Sequence, residues 1–388
     1  MFLNKENNKT INTKSKTINK KYKKGEIVMF SNKSTKNKSK KLLLAGSLLL
    51  ATGVANAAYD IKLTDEDSLS FGGYIKVDAR YVDGDVAYRP YWAGSGTKLD
   101  ESASQFNLFA NETRFNMKYT HDDVMGFIEM DFWGGGGNEI VSNSANPRIR
   151  HAFIKYKDVL VGQTWSTFMN TSAIPESADF AGATLGLVFI RQGQVRYTMG
   201  DFQVSIENPE SWGGDTANDS IPDVVARYNL KGDWGNISFS ALGRQLNTNL
   251  GNTETAIGAS IAGRIKTIGK DDLRFQLHQG EVGRYVGAGF TPDIFTKTDV
   301  NGNVIEEVED VTSYLVAYRH YWTDTLRSTV LYGAADADSS GADRRQWGVN
   351  LFQNLTKQLA VGVEVGNFTM KEQDADSNYA QLSLQYVL

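Results

Sequence analysis

Hydrophobic and polar residues alternate one by one along most of the chain that follows residue 57. The segment 75–81 reads Ile-Lys-Val-Asp-Ala-Arg-Tyr, and similar alternation recurs at 114–119, 202–207, 273–278 and 381–388. A period of two indicates β-strands with one apolar face. After residue 57 there is no apolar run long enough to span a membrane as a helix. The pattern therefore predicts an all-β protein.

Polar connections divide this pattern into sixteen strands. Short turns fall at 121–123, 157–158, 200–201, 231–233, 270–272, 322–324 and 354–357. Longer stretches rich in Gly, Asn, Asp and Ser fall at 84–104, 134–147, 166–189, 208–222, 247–253, 285–311, 335–343 and 371–377. The short turns then lie at one end of the strands and the long loops at the other, and both ends of the barrel chain lie on the short-turn side. This layout is typical of outer-membrane barrels. We therefore predict a 16-stranded antiparallel transmembrane β-barrel with short periplasmic turns and long extracellular loops.

Two other all-β folds would also alternate. A soluble β-sandwich has to bury its apolar faces in one core. A chain with sixteen strands and only 6 prolines fits a barrel better than a sandwich. A secreted β-solenoid requires a regular internal repeat, and the sequence shows none.

The first 57 residues have a different composition from the rest. They carry 13 lysines and 2 glutamates, a balance of +11. Lysines precede an apolar run at 42–51, and Val54 to Ala57 forms a small-residue cleavage pattern. We predict a secretory signal peptide within 1–57, with Met29 as the start, cleavage between Ala57 and Ala58, and a barrel domain over 58–388.

Composition excludes several kinds of site. The chain has no cysteine, so disulfides, thiolate metal sites and cysteine nucleophiles are excluded. Its net charge is −4, which leaves −15 on residues 58–388 and argues against a nucleic-acid partner. No cofactor or metal site is predicted, and the expected partners are membrane lipid and small polar solutes.

Four segments resemble a known family. They are Asn-Glu-Thr-Arg-Phe at 111–115, Arg-Ile-Arg-His-Ala-Phe at 148–153, Gly-Gln-Thr-Trp-Ser-Thr-Phe-Met at 162–169, and Arg-Gln-Gly-Gln-Val-Arg-Tyr at 191–197. They look like the early strands of DcaP-type trimeric porins of the bacterial outer membrane. The resemblance implies a homotrimer in which each pore favours small anions such as dicarboxylates and aromatic carboxylates. It also implies a third loop, 166–189, folded into the pore as a constriction.

Two features depart from that family. Its best-known members carry a periplasmic coiled coil before the barrel, whereas residues 58–66 show no heptad pattern. The last residue is Leu388, where phenylalanine is usual, although Leu388 keeps the apolar alternation of the last strand.

In the alternating register, basic side chains outnumber acidic ones on the lumen face. The predicted pore-lining basic residues are Lys76, Arg80, Arg114, Lys118, Arg148, Arg150, Arg196, Arg227, Arg244, Arg264 and Arg274, with Lys266 on the same face. The acidic residues on that face are Asp78, Glu112, Glu129, Asp131, Glu207 and Glu364. Because rings of Arg and Lys attract anions, the wall predicts an anion-favouring pore. The alternative is that each arginine braces the wall by pairing with a glutamate on a neighbouring strand.

The third loop contributes three further candidates, Asn170, Glu176 and Asp179. If the loop folds inward, the two carboxylates would face the arginine wall across the opening and create a transverse field. The alternative is an ordinary solvated loop.

The predicted function is passive diffusion of small hydrophilic solutes, with a preference for anions. A non-conducting barrel that serves as an adhesin or structural protein is the first alternative. A barrel hydrolase is the second, with His278 beside Glu281 as its one candidate, but no G-x-S-x-G, H-E-x-x-H or P-loop motif accompanies it. We therefore expect no enzyme activity.

Overall fold

The computed structural model describes residues 59–87, 96–138, 140–180 and 184–388. The predicted signal segment and its cleavage site between Ala57 and Ala58 lie outside the described residues. In the part described, no helix is long and apolar enough to cross a membrane. The helical elements there are short 3₁₀ turns at Thr171–Ala173, Thr216–Asn218, Gly283–Tyr285 and Lys371–Gln373. The remaining regular structure is β-strand, so the all-β prediction is confirmed.

Sixteen antiparallel strands form the barrel. They are β1 (Asp67–Val86), β2 (in two halves, Lys98–Phe109 and Arg114–His121), β3 (Val124–Asp131), β4 (Arg148–Tyr156), β5 (Val159–Trp165), β6 (Arg191–Met199), β7 (Phe202–Glu207), β8 (Asp223–Gly232), β9 (Gly235–Asn247), β10 (Thr253–Lys266), β11 (Asp272–Gly280), β12 (Val311–Tyr321), β13 (Leu326–Ala337), β14 (Asp343–Asn354), β15 (Leu359–Met370) and β16 (Ala375–Val387). A short strand, Tyr59–Lys62, pairs with the start of β1. A separate hairpin, Ile294–Thr298 with Val304–Val308, lies in the loop after β11.

The barrel closes between its first and last strands. β1 pairs with β16 from Tyr74↔Val387 to Gly84↔Ser377, and the strands between them pair in chain order. Closure leaves every strand with a neighbour on both sides, which a lipid environment requires of a sheet. The predicted 16-stranded architecture is confirmed.

Short and long connections alternate as predicted. One end of the barrel, the short-turn end, carries seven connections at 122–123, 157–158, 200–201, 233–234, 267–271, 322–325 and 355–358. The other, the long-loop end, carries eight at 87–97, 132–147, 166–190, 208–222, 248–252, 281–310, 338–342 and 371–374. The first loop is shorter than the predicted 84–104, because Asp83 pairs with Ser104 and Val86 with Lys98.

Two irregularities place polar side chains inside the barrel. The halves of β2 both pair with β1, and the chain between them turns so that Glu112 and Thr113 are buried against Lys76. A β-bulge between β3 and β4 pairs Glu129 with His151 and the next residue, Met130, with Ile149. The extra residue in β4 is Arg150, so Arg150 and His151 are consecutive and both buried.

Apolar side chains cover the outer face of the barrel. On β1, Ile75 and Tyr81 are 45% and 46% exposed, whereas Lys76 and Arg80 between them are 5% and 1% exposed. Other exposed apolar residues on alternate strand positions include Phe115, Val195, Tyr228, Phe239, Val316, Val349, Val363 and Leu382. A continuous apolar exterior around a polar-lined interior is what a barrel surrounded by lipid requires.

Part of the barrel interior is filled by two long loops. The loops at 166–190 and 281–310 meet inside, where Val188 forms a β-bridge with Val286 and Phe189 N–H donates to the Tyr285 carbonyl at 3.0 Å. Their apolar side chains pack on inward-facing strand residues. We call this cluster the loop core, and its members include Phe168, Met169, Leu185, Leu187, Val286, Phe290, Val82, Leu242, Leu315, Leu331 and Phe368. Since burying a large apolar side chain contributes about 1.5–3 kcal/mol, the loop core holds both loops in the lumen.

A glycine permits the closest approach in the loop core. Gly186 has φ of 79°, and a Cβ there would lie 1.9 Å from the Tyr314 carbonyl oxygen. Both the backbone conformation and the contact distance exclude any larger residue at this position.

Candidate functional site: the lumen beside the third loop

The third loop, 166–190, crosses the lumen and is anchored where it begins. Its 3₁₀ turn, Thr171–Ala173, is capped by Asn170, whose Oδ1 accepts the Ser172 N–H at 3.1 Å. The Asn170 amide also donates to Ser238 Oγ at 2.9 Å and to the Ala262 carbonyl at 3.0 Å. Asn170 therefore both shapes the turn and ties it to β9 and β10.

Glu176 attaches the middle of the loop to the barrel wall at β12, β13 and β14. Its carboxylate accepts from Arg327 Nε and NH2, with the shortest contacts at 2.7 and 2.6 Å, and lies 3.6 Å from Arg319 NH1. Its backbone carbonyl accepts from the Asn350 amide at 2.9 Å. Glu176 is 3% exposed, so this ion pair is shielded from solvent.

The next residues are held by β1, β15 and β16. Ala178 N–H donates to Glu364 Oε2 at 2.8 Å, and the Ala178 carbonyl accepts from Lys76 Nζ at 2.7 Å and from Gln381 at 2.6 Å. The Asp179 carboxylate accepts from Arg80 NH2. Burial raises the pKa of the Asp179 carboxyl, although the Arg80 and Lys76 charges oppose that rise.

The carboxylates of the loop therefore do not face the arginines across an open gap. Glu176 and Asp179 contact Arg327 and Arg80 directly. The sequence-based expectation of a transverse field across the opening is wrong in this respect. The physical reason is that a buried carboxylate is stable only when it is paired and hydrogen-bonded, so the loop packs onto the wall.

Three arginines line the wall on β2 and β4. The guanidinium of Arg150 donates to Glu129 at 2.7 Å and to Asp131 at 3.0 Å. Arg148 donates to both Asp131 oxygens at 3.0 and 2.8 Å, and Arg114 lies 3.7 Å from Glu129. Three guanidinium groups share two carboxylates, so this wall carries one surplus positive charge.

The ring of Phe180, at the end of the described first part of the loop, lies against these arginines. The guanidinium carbons of Arg150, Arg114 and Arg148 are 5.4, 5.7 and 5.9 Å from the ring centroid. Phe180 also stacks edge to face with Phe189, at 6.0 Å between centroids. We call Phe180 with Arg114, Arg148 and Arg150 the Phe180 wall.

The Phe180 wall borders a cavity that is open to solvent. The cavity measures about 90 Å³. Its charged lining residues are Lys76, Arg114, Arg150 and Arg327 together with Glu112, Glu176 and Asp179. Arg114 lines the cavity and is 18% exposed in its side chain, and Arg148 beside it is 28% exposed.

A second arginine group lies near the short-turn end. The Asp272 carboxylate accepts from Arg264 at 3.0 Å, Arg274 at 2.6 Å and Arg319 at 2.6 Å. With Arg327 and Glu176 added, four arginines share two carboxylates. Each of the two groups therefore contains more arginines than carboxylates.

Comparison with known proteins decides the family. The model of the DcaP outer membrane protein family matches residues 4–378. The chain belongs to the DcaP family. Among curated proteins, none matches the chain.

Solved structures share the fold of this DcaP-family barrel. The outer membrane channel DcaP of Acinetobacter baumannii has a TM-score of 0.72 and 24% identity, covering 84% of this chain and 99% of its own. OmpF of Salmonella typhi, in complex with daunomycin, has a TM-score of 0.55 and 15% identity, covering 85% and 100%. The anion-selective porin from Comamonas acidovorans has a TM-score of 0.53 and 12% identity, covering 83% and 100%.

The family and the fold place the protein in the outer membrane as a β-barrel channel protein. Its short-turn end is the periplasmic end, and its long-loop end is extracellular. The family is one of channels and not of enzymes.

In the DcaP-family barrel His278 is buried against Phe168, with 6.1 Å between ring centroids, while Glu281 accepts the Ile257 N–H at 2.7 Å. The two residues of the hydrolase hypothesis therefore have separate partners.

The predicted basic residues are distributed over several regions of the barrel. Lys76 and Arg80 hold the third loop, and Arg114, Arg148 and Arg150 belong to the Phe180 wall. Arg264 and Arg274 belong to the Asp272 group, whereas Arg244 lies near the extracellular end, paired with Asp293 at 2.6 Å. Arg196 and Arg227 donate to carbonyls at the start of the loop. Lys118 is half-buried on the inner face of β2, and Lys266 is exposed at the end of β10.

Sequence reasoning missed Arg319, Arg327 and Asp272. In the segments around the two arginines, apolar residues occupy both faces of the strand. The sequence pattern there does not show which face points into the lumen. Strand pairing would have revealed Arg319, because it lies opposite Asp272 in the register. Arg327 follows a short turn and is recognised only through its contact with Glu176.

Proposed function

We propose that this DcaP-family barrel passes small hydrophilic solutes by passive diffusion and favours anions. The observation that carries the proposal is the surplus of arginine over carboxylate in the Phe180 wall, which borders a solvent-open cavity beside the constricting loop. A solute that crosses the barrel beside this loop meets guanidinium groups whose charges are incompletely balanced.

The chemistry of arginine supports an anion preference. A guanidinium keeps its charge at every physiological pH and presents donors that match a carboxylate or phosphate. In a narrow channel with low-dielectric walls, each uncompensated charge acts more strongly than in bulk water. Phe180 adds an apolar surface next to those donors. Small carboxylates with an apolar body, such as the dicarboxylates and aromatic carboxylates that the resemblance implies, fit this combination.

Solute flux into proteoliposomes tests the proposal. The purified full-length chain is reconstituted, and the swelling rate is measured with pairs of solutes of similar size and opposite charge, such as benzoate and benzylamine. We expect the anion to enter faster. Equal rates, or faster entry of the cation, would contradict an anion preference. No entry of either solute would contradict the channel itself and favour the non-conducting alternative.

The assembly and the export signal are also proposals. The family resemblance supports a homotrimer, and the composition of residues 1–57 supports removal of that segment after Ala57. Native mass spectrometry of the protein purified from outer membranes measures both properties at once. It should give three copies of a chain that begins at Ala58.

A further inference from the structure

Arg196 on β6 and Arg227 on β8 differ from the paired arginines of the lumen. Arg196 Nε donates to Gln194 Oε1 at 3.0 Å, and its NH2 donates to the Trp165 carbonyl. Arg227 donates to the Met169 carbonyl and to Gln203 Oε1. All four acceptors are neutral oxygens, and among the described residues no carboxylate lies within 4.0 Å of either guanidinium.

Most lumen arginines have a carboxylate partner. Arg80 pairs with Asp179, Arg150 with Glu129, Arg244 with Asp293, Arg264 with Asp272, and Arg327 with Glu176. The carboxylate on the strand between the two arginines, Glu207, acts on both through its charge but forms its hydrogen bonds with other groups. It accepts the Thr167 N–H at 2.8 Å and the Gln192 amide at 2.6 Å.

The two guanidinium groups are neighbours. On β7, which lies between their strands, Arg196 pairs with Ser205 and Arg227 with Gln203, two positions apart on one face. The charge of Arg196 acts on Arg227 across β7. Arg196 is 6% exposed and Arg227 is half-buried, so two like charges are held together where water screens them poorly.

Both side chains retain donor capacity. A guanidinium carries five N–H donors, and the structure assigns two hydrogen bonds to each of these arginines. Arg227 Nε is buried without an acceptor. Arg227 itself is half-buried, so its guanidinium is not fully enclosed.

We infer that Arg196 and Arg227 together form a binding site for a compact oxyanion with two negative charges, of the sulfate or phosphate type. Glu207 carries one negative charge against these two guanidinium groups, so the anion supplies counter-charge that Glu207 alone does not, and its oxygens accept from their remaining donors. The site lies on β6–β8 on the periplasmic side of the loop start, apart from the Phe180 wall on β2 and β4. The inference rests on the proposed channel only for the route by which an anion arrives.

Sulfate titration tests the site, because sulfate keeps two charges throughout the working pH range. Single-channel chloride currents of the full-length protein are recorded while sulfate is added. In the wild type we expect saturable inhibition by sulfate and much weaker inhibition by methanesulfonate, which has a similar shape and one charge. In the double variant Arg196→Gln/Arg227→Gln, half-inhibition should require at least about tenfold more sulfate.

Two further variants separate the site from general effects. Arg227→Lys keeps the charge and should retain most of the inhibition. Arg345→Gln removes an arginine that is paired with Asp336 at 2.7 Å, and should leave sulfate inhibition unchanged. Inhibition that is unaltered in the double variant, or a wild-type response that is equal for sulfate and methanesulfonate, would overturn the inference.

A second measurement keeps the site testable if the barrel does not conduct. Isothermal titration calorimetry with sulfate on the detergent-purified wild type measures binding without any current. Binding without conductance would contradict the proposed function and support the site. Absence of binding would overturn the site whatever the channel does.

Discussion

Glu176 and Arg327 form a buried ion pair that ties the third loop to the barrel wall. Three hydrogen bonds join the Glu176 carboxylate to Nε and NH2 of Arg327, the shortest at 2.7 and 2.6 Å, and both side chains are nearly inaccessible to solvent. The loop position that narrows the lumen is therefore set by a charge pair between β13 and the middle of the loop.

Replacing Glu176 should release the loop. Glu176→Gln leaves Arg327 buried without its counter-charge, which costs about 3–5 kcal/mol of folding stability and frees the loop segment near it. Urea unfolding, followed by the gel shift of heat-modifiable barrels, measures the stability loss. As a control, Glu307→Gln removes an exposed pair with Lys297 and should cost less than about 1 kcal/mol. Equal effects of the two variants would contradict the anchoring role.

Removing the Phe180 ring should widen the passage and expose the guanidinium groups of Arg114, Arg148 and Arg150. Phe180→Ala deletes contacts worth about 0.5–2 kcal/mol each when desolvated, so the arginines gain freedom to meet solutes. We expect larger single-channel conductance and stronger anion preference. Phe239→Ala, on the lipid-facing side of β9, is the matched control and should leave the current unchanged. Lower or unchanged conductance in Phe180→Ala would contradict the claim that the Phe180 ring narrows the passage.

Charge reversal at the Phe180 wall should change ion selectivity. Arg148→Glu/Arg150→Glu places acidic side chains next to Asp131, so the surplus charge of the wall becomes negative. The reversal potential should shift toward the equilibrium potential of potassium ions. Arg345→Glu, near the extracellular rim, should shift it little. An unchanged reversal potential in the double variant would show that these arginines only brace the wall.

Asp271 in the turn between β10 and β11 should make stability depend on acid pH. The pKa of its carboxyl is lowered because it accepts the Tyr321 backbone N–H at 2.8 Å and a hydrogen bond from His320. A lowered folded-state pKa contributes stability above the ordinary value of about 4, and that contribution is lost as the pH falls through the folded-state pKa.

Urea midpoints for wild type and Asp271→Asn measure this dependence. The wild type should be more stable at neutral pH, and the two should converge once the pH falls below the lowered pKa, where the wild-type carboxyl is protonated. Asp233→Asn, at an exposed residue of another turn, should change the urea midpoint at neutral pH less than Asp271→Asn does. A constant difference between wild type and Asp271→Asn across this range would refute the role of the carboxylate.

The strands, their order and most of the inner face were predictable from the sequence. Alternation exposes Ile75 to lipid and directs Lys76 inward because a strand has only two faces. The interior of the extracellular half was not predictable. Leu315, Leu331 and Phe368 face inward although they are apolar, because two loops bring apolar partners to them. Loop conformation leaves no periodic signal in the sequence.

The partners of individual charges were also beyond sequence reasoning. Glu176 and Asp179 were recognised as candidates, but their contacts with Arg327 and Arg80 join residues far apart in the chain. The β-bulge at Arg150 adds one residue and turns both Arg150 and His151 inward. A strict alternation of two cannot anticipate such a shift.

The reversal potential of the wild-type channel in a potassium chloride gradient tests the central claim most directly. The surplus of guanidinium groups over carboxylates beside the third loop predicts a reversal potential close to the equilibrium potential of chloride. Such a value reports a preference for anions. A potential close to that of potassium would contradict the proposal that the arginines of the lumen set the selectivity.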